Sequence, residues 1–440
     1  MTLDHLYAIF QQHPRCCTDS RMVQRGDIFF ALRGDNFDGN QYAAKALEAG
    51  ATYVVVDDPL VYREGDARYL LVDNVLLTLQ DLARFHRRKF DIPVIAIGGS
   101  NGKTTTKELV SAVLRNHYPM YATPGNLNNH IGVPLTLLHI PPKTEVAVVE
   151  MGANHQGEMA FLCRIAEPTH GLLTNIGKEH LEGFGSIEGV RQAESELYRY
   201  LAAGNGMAFI NRDEPDLEQL ARPVTKKLLY GHVPVLNPDQ KRLYEMSLLT
   251  AQPFLSVAFW SDNGELITAH TRLLGHYNLG NIMTAIALGQ YFKVPALKIK
   301  EALEQYVPAN NRSQLLEKGG NTYIMDAYNA NPSSMEKAIL SFAAMEGHPK
   351  IAVLGDMLEL GEASEHEHDY IARLALNQRI DELLLIGKDF AKVADELGVR
   401  HFADSDALAY WWREHSPKGA LVLVKGSRGI RLERMMDVGC

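Results

Sequence analysis

What this chain lacks narrows the reading first. No apolar run approaches the ~20 residues of a membrane-spanning helix. The opening residues, Met1-Thr2-Leu3-Asp4-His5, carry neither the basic start nor the apolar stretch of a secretory signal. A cytoplasmic protein with no membrane insertion is therefore expected. Cysteine is scarce, with four in 440 residues: Cys16, Cys17, Cys163 and Cys440. They show neither metal-binding spacing nor the pattern of a disulfide framework. Adjacent Cys16 and Cys17 read as small buried hydrophobes rather than a redox pair. Positive charge is not in excess either. A net charge of −9 argues against a nucleic-acid partner, while leaving room for a local basic cleft that holds phosphates. Repeats and low-complexity tracts are also missing. At 440 residues the chain exceeds what one core supports, and length alone gives about three domains.

One glycine is absent where a general pattern wants it. Val94-Ile95-Ala96-Ile97 reads as a buried parallel strand, and Thr104 through Leu114 as a helix. Between them runs Gly98-Gly99-Ser100-Asn101-Gly102-Lys103, a turn whose backbone N–H groups can converge on phosphate oxygens beside a helix N-terminus. Lys103 would reach the β/γ-phosphates and the Thr104 hydroxyl would ligate Mg²⁺. The generic loop has glycine five residues before Gly102, where this chain has Ile97. The loop is a shortened variant. A chance Gly-Lys-Thr in an ordinary turn is the plain alternative, but strand, glycines, lysine and helix come in the order a nucleotide loop requires.

The rest of the chain keeps an α/β rhythm. Before the loop, strands at 27–32 and 52–56 alternate with helices at 42–49 and 75–90, and Pro93 at a strand start fits a domain boundary. Thr18-Asp19-Ser20-Arg21 and residues 33–39 read as surface turns without evident function. After the loop, an apolar strand ends in Glu150-Met151-Gly152, and another, Gly171 to Gly177, is followed by Lys178-Glu179-His180. Ligands bind at the carboxyl ends of strands in open parallel sheets, so Glu150 and His180 stand where a metal or phosphate site is expected. A solvated turn residue is the plain alternative for each. The run Thr123 to Pro134 holds Asn126, Asn128 and Asn129, either for a polar ligand or as a simple turn cluster. Residues 225–272 are less regular, with antiparallel strands expected at 254–259 and 265–271. A small-residue helix then follows Gly275 and runs through Tyr291. From about 309, strands at 322–326, 351–356, 382–387 and 421–426 predict a parallel, doubly wound sheet.

Together these blocks resemble the Mur ligases, the ATP-dependent amide-forming enzymes of peptidoglycan synthesis, over the whole chain. The resemblance rests on Gly99-Ser100-Asn101-Gly102-Lys103-Thr104, Gly125-Asn126-Leu127-Asn128-Asn129, Glu150-Met151-Gly152-Ala153-Asn154 and His180-Leu181-Glu182-Gly183-Phe184-Gly185. It implies an α/β protein of three domains. These are an N-terminal UDP-binding domain (1–90), a central P-loop parallel-sheet ATPase domain (91–308) and a C-terminal Rossmann-like domain (309–440). It implies that Gly99, Ser100, Asn101, Gly102, Lys103, Thr104 and Thr105 hold ATP phosphates and that Asn278 and Asn281 hold the adenine. Arg312, Asp326 and Tyr328 complete the nucleotide site. Ser20 and Arg21 would meet the UDP end, and Asn128, Asn129, Asn329 and Asn331 the rest of the substrates. Lys103, Glu150, His180 and Glu194 would carry catalysis.

In the last domain, residues 326–332, 354–361 and 424–428 match the branch that adds a dipeptide, while the Asp-Asn-Pro-Arg signature of the diamino-acid-adding branch is missing. The resemblance therefore implies UDP-N-acetylmuramoyl-tripeptide and D-alanyl-D-alanine as substrates, with ATP and Mg²⁺. The reaction passes through an acyl phosphate. A monomer is expected.

Two departures from the family pattern stand out. Where relatives carry a carbamylated lysine that helps ligate a second Mg²⁺, this chain has Glu194. Its carboxylate would stand in for the carbamate, with Glu196 as the alternative and a solvated acidic helix face as the plain reading. Thr104 and Glu150 would then serve one Mg²⁺, and His180 with Glu194 the other; His180 as a general base stays open. In Asn310-Asn311-Arg312-Ser313-Gln314, relatives have glycine before the arginine. The rival readings are a diamino-acid-adding or folylpolyglutamate-type ligase and a UDP-sugar-binding protein without chemistry. About 90 residues before the phosphate loop disfavour the folate type, and the intact Lys103, Thr104, Glu150 and His180 disfavour the last.

Overall fold

In a computed structural model describing residues 1–309, 311–347 and 349–437, three large sheets organise the chain, and a fourth is only the two-stranded hairpin of Arg33–Gly34 with Phe37–Asp38. Asn310 and Cys440, both noted above, lie outside the described residues. The first sheet is four short parallel strands in the order Cys16–Cys17, Ile28–Phe30, Tyr53–Val56, Tyr69–Leu71. Cys16 is buried in it, as its small apolar character predicts, while Cys17 is half-buried and its thiol donates to the Asp19 carbonyl.

The second sheet has nine strands. Val94–Gly98 lies between Val146–Glu150 and His170–Leu173, all parallel, and three further parallel strands (Met207–Asn211, Lys226–His232, Glu245–Thr250) continue beyond the latter. The sheet then closes with antiparallel Ser256–Trp260 and Leu266–His270, the two strands expected from alternation. From Val94–Gly98 the chain crosses first to one side and later to the other. The carboxyl end of that strand is thus a topological switch point, where such sheets open a crevice.

The third sheet holds the four expected parallel strands, Asn321–Asp326, Leu421–Lys425, Lys350–Gly355 and Glu382–Ile386. Two edges were not expected: Gln314–Lys318, antiparallel to its neighbour, and Arg400–Phe402. Neither edge carries a long apolar run, because each buries little.

Packing joins the first two sheets more tightly than the third. Helix Val75–Arg87 buries Leu79, Leu82 and Ala83 in one continuous core with Val149 of the central sheet and Leu137, Leu162 and Leu197 of its helical layer. Arg87 donates to the carbonyls of Ala166, Phe90 and Glu167, and Arg84 and Arg88 pair with the Glu167 carboxylate. These contacts cap the carboxyl end of helix Glu158–Ala166, whose last carbonyls favour cations. The C-terminal sheet keeps its own two cores, one on each face. Among the described residues no helix is long and apolar enough to cross a membrane.

Two half-buried histidines outside the crevice make stability depend on pH. His170 packs among Phe209, Tyr291 and Phe292, and burial pulls its pKa down to about 4; burial does the same to His86. Both folded-state values lie below the unfolded ~6.5. Their contribution is therefore full above pH ~6.5 and is lost as pH falls towards 4, where the unfolded chain binds protons that the folded chain refuses. Calorimetry at pH 7.5 and pH 5 should show Tm falling by several degrees on acidification, and His170→Gln should flatten that fall. An equal fall in the variant would remove His170 from the account.

Candidate active site

The crevice at the switch point is built around the glycine-rich turn. Gly102 caps helix Lys103–Arg115 with φ +81°, and a β-carbon there would lie 2.6 Å from Asn281 Oδ1. Gly99 has φ +106°, and its β-carbon would lie 2.6 Å from the Thr174 nitrogen. Only glycine fits either place. With no side chain in the way, the helix N-terminus opens onto a cleft of about 700 Å³. Lys103 bends back over its own loop, its Nζ 2.5 Å from the Gly99 carbonyl, 3.2 Å from that of Ser100 and 3.4 Å from Glu179 Oε2.

Three buried carboxylates surround that lysine. Glu150, at the end of its strand, accepts from Thr104 Oγ1 (3.0 Å) and Asn128 Nδ2 (2.8 Å) through Oε1. Its Oε2 accepts no hydrogen bond, although Lys107 Nζ stands 3.5 Å away. Glu194, fully buried in helix Ile187–Glu194, accepts from the Gly99 N–H at 2.7 Å through Oε2 and leaves Oε1 unpartnered. Glu179 is likewise buried, with Oε1 unpartnered and Oε2 lying 4.0 Å from His180 Nε2.

Buried carboxylate oxygens without donors are costly unless a cation meets them. Burial pushes the Glu194 carboxyl up to about 7, against the pull of Lys103. Lys103 is pulled down by burial, yet the three carboxylates outweigh this and hold it above its usual value. One hydroxyl and three carboxylates with free oxygens form the hard, oxygen-rich donor set that suits Mg²⁺. The residues present fit such an ion.

The far wall of the cleft belongs to the C-terminal sheet. Asp326 and Lys425 end neighbouring strands in register, and Lys425 Nζ donates to Asp326 Oδ2 at 2.6 Å. Tyr328 lies between two guanidiniums, Arg312 at 3.8 Å and Arg428 at 5.1 Å from its ring centre. Tyr277 OH meets Ser313 Oγ at 2.9 Å across the two domains. Asn331 Nδ2 donates to Asn101 Oδ1 (2.9 Å), the Lys178 N–H donates to Ser333 Oγ (2.9 Å) and Lys178 Nζ pairs with Glu367 (2.5 Å).

Most residues singled out from sequence come together here. Ser100, Asn101, Gly102, Lys103, Thr104, Thr105, Asn128, Asn129, Glu150, His180, Asn278, Asn281, Arg312, Asp326, Tyr328 and Asn329 all line the cleft. Gly99 and Glu194 sit behind the loop instead of on the cleft wall. Asn331 is not on the wall either; its side chain caps helix Pro332–Ala344 and bridges to Asn101. Asn278 and Asn281 hydrogen-bond each other, and Asn281 also accepts from Thr106. Ser20 and Arg21 lie apart on the N-terminal domain, where Arg21 is exposed and pairs with Asp19.

Glu196 is occupied elsewhere, accepting from the N–H groups of Gly157 and Ala160 at the start of helix Glu158–Ala166. Sequence reasoning gave no role to Glu179, Lys107 or Lys425. An acid next to His180 at a strand's carboxyl end was a usable signal for Glu179. Lys107 read as an ordinary helix residue, and Lys425 lay in the 424–428 block without a role of its own.

Comparison with known proteins agrees with this layout. Residues 15–87 match the model for the Mur ligase family, catalytic domain; residues 97–289 match the Mur ligase middle domain; and residues 311–428 match the Mur ligase, glutamate ligase domain. The UDP-N-acetylmuramoyl-tripeptide–D-alanyl-D-alanine ligase of Bacillus subtilis (strain 168) is 35% identical over 95% of this chain and 91% of its own. The crystal structure of MurF from Acinetobacter baumannii superposes with a TM-score of 0.85 at 29% identity, covering 99% of this chain and 98% of that one. The MurF ligase of Thermotoga maritima in complex with ADP gives 0.81 at 28% identity, covering 97% of each chain.

Proposed function

The chain belongs to the Mur ligase family, and from that premise we infer that it joins D-alanyl-D-alanine to UDP-N-acetylmuramoyl-tripeptide in peptidoglycan synthesis, converting ATP to ADP and phosphate. The observation that carries this is the 35% identity over 95% of the chain to a ligase of that reaction. A carboxylate is a poor electrophile, so the acceptor's terminal carboxylate first attacks the γ-phosphate of ATP to give an acyl phosphate. The dipeptide amine then adds to that carbonyl and phosphate leaves.

In the first step two anions meet, which makes charge neutralisation the main demand. Lys103 supplies one cation where β- and γ-phosphates sit against the helix N-terminus. Mg²⁺, when bound, supplies further neutralisation; Thr104 with Glu150, and His180 with Glu194, are the residues that would hold it. Glu179 keeps Lys103 and His180 together between these two pairs. Asn278 and Asn281 hold the adenine, Arg312, Asp326 and Tyr328 close over the nucleotide, and Asn128, Asn129 and Asn329 face the reacting ends. Asn331 joins the domains through Asn101. Ser20 and Arg21 belong to the N-terminal site for the UDP end. Docking of the C-terminal sheet against the loop keeps water from the acyl phosphate.

The test is phosphate release and product mass with ATP, Mg²⁺ and UDP-N-acetylmuramoyl-tripeptide, offering D-alanyl-D-alanine, L-lysine, meso-diaminopimelate and L-glutamate in parallel, with UDP-N-acetylmuramoyl-dipeptide as a second acceptor for the diamino acids. Turnover only with D-alanyl-D-alanine is expected. Turnover of a diamino acid on the dipeptide acceptor would overturn the assignment.

A further inference from the structure

We propose that Glu359 is a positioning residue which the C-terminal domain delivers to His180, so that the reacting centre is complete only when that domain is docked. The inference rests on His180 belonging to the ligase site. Glu359 stands in the loop after strand Lys350–Gly355, and its carboxylate pairs with His180 Nδ1 across the domain boundary. Both residues hold left-handed backbone, φ +63° at Glu359 and +42° at His180. Such conformations are unfavourable for a residue bearing a β-carbon and persist where the surroundings over-determine them, most often at functional sites.

The surroundings do so here. The Glu359 carbonyl accepts from the Glu182 N–H (3.2 Å), the Leu358 N–H donates to Ser427 Oγ (3.0 Å), and the Met357 N–H donates to His368 Nε2 (3.0 Å). The loop is thus pinned to the central domain on one side and to its own domain on the other. An unstrained glycine at 359 would satisfy the same backbone bonds. What the glutamate adds is its carboxylate.

The chemistry of that carboxylate is specific. A carboxylate paired with Nδ1 favours the tautomer protonated there and leaves the Nε2 lone pair free. Here Nε2 is the nitrogen on the Glu179 side, in a residue that lines the cleft. Such partners of a cation-binding histidine change affinity or activity by roughly 10–100-fold when removed. In this chain the partner comes from a different domain than the histidine. The contacts Lys178–Glu367, Lys178–Ser333 and Asn101–Asn331 flank it and set the register of docking.

Two variants separate this role from plain packing. Glu359→Gly suits the backbone and removes the carboxylate; Glu359→Gln keeps the shape and an acceptor oxygen. For Glu359→Gly, kcat should fall roughly 10–100-fold with KM for ATP within about twofold, since Lys103 and its loop are untouched. Mn²⁺ binding to the ATP-bound enzyme, read by electron paramagnetic resonance, should weaken about tenfold or more. In ¹⁵N-histidine spectra of the ADP complex, His180 should carry its proton on Nδ1 in the parent and lose that preference in Glu359→Gly. Glu359→Gln should restore most of each readout.

Unchanged kcat, Mn²⁺ affinity and His180 signal in Glu359→Gly would overturn the proposal. So would equal losses in both variants with an unaltered His180 signal. Should the parent form no product with any amine while His180 and Mn²⁺ still respond to Glu359→Gly, the ligase reading falls and the positioning role stands.

Discussion

Replacing Lys103 with methionine is expected to lower kcat by at least about 10³-fold, the scale on which a preorganised cation at a transferring phosphoryl group acts. Methionine keeps much of the stem and its packing, so the loss isolates the charge. The ammonium is already held within reach of two loop carbonyls and Glu179. It therefore moves onto phosphate oxygens with little reorganisation. Binding of UDP-N-acetylmuramoyl-tripeptide should be nearly unchanged, because its UDP end is assigned to the N-terminal domain. Stability should fall as well. Lys103 is the cation that offsets burial of Glu194, and without it that carboxyl is driven further up. Single-turnover phosphate release and calorimetry read the two effects separately. Retained turnover would mean that another cation neutralises the phosphates.

Glu194 should give the second large effect, and two substitutions divide it. Glu194→Gln keeps an oxygen for the Gly99 N–H and turns an amide donor towards the site where Glu194 now leaves Oε1 free. A donor there opposes a cation. The expected outcome is a roughly 100-fold loss of kcat and a raised Mg²⁺ requirement, with the fold intact. Glu194→Ala also strands the Gly99 N–H in the interior, costing about 1–3 kcal/mol, so its Tm should drop where that of the glutamine variant does not. Activity and Mg²⁺ dependence unchanged in Glu194→Gln would take this residue out of the ion's ligand set.

The phosphate loop was legible because its signal is local: an apolar strand, two glycines in left-handed backbone and a lysine at a helix start lie within ten residues of chain. The strands of the last domain were legible for a similar reason. Each is buried on both faces and so reads as a continuous apolar run. Edge strands escaped, since Gln314–Lys318 and Met120–Ala122 are only partly buried and alternate too briefly to stand out. Lys226–His232 and Glu245–Thr250 were lost in a stretch rich in turn residues.

Side-chain roles divided along the same line. Glu150 and His180 follow from their position at strand ends, a local property. Glu194 and Glu359 act through partners 95 and 179 positions away, Gly99 and His180, and no spacing rule reaches that far. Asn331 sits beside Asn329 and Pro332 in a turn-forming stretch, yet its hydrogen bonds are spent on a helix cap and on Asn101.

The single core shared by helix Val75–Arg87 and the central layer has a consequence for how substrates are told apart. With the uridine end held by the N-terminal sheet, as proposed, that end and the phosphate loop become the two jaws of a rigid gauge, bolted through Arg87 and its neighbours. On that assignment, a peptide one residue short is expected to leave its carboxylate short of Lys103. The wall that brings the incoming amine is built instead on a sheet with cores separate from the shared one. Acceptor length is therefore measured by a fixed distance and the amine by a separately built wall, two separate inspections made by one molecule.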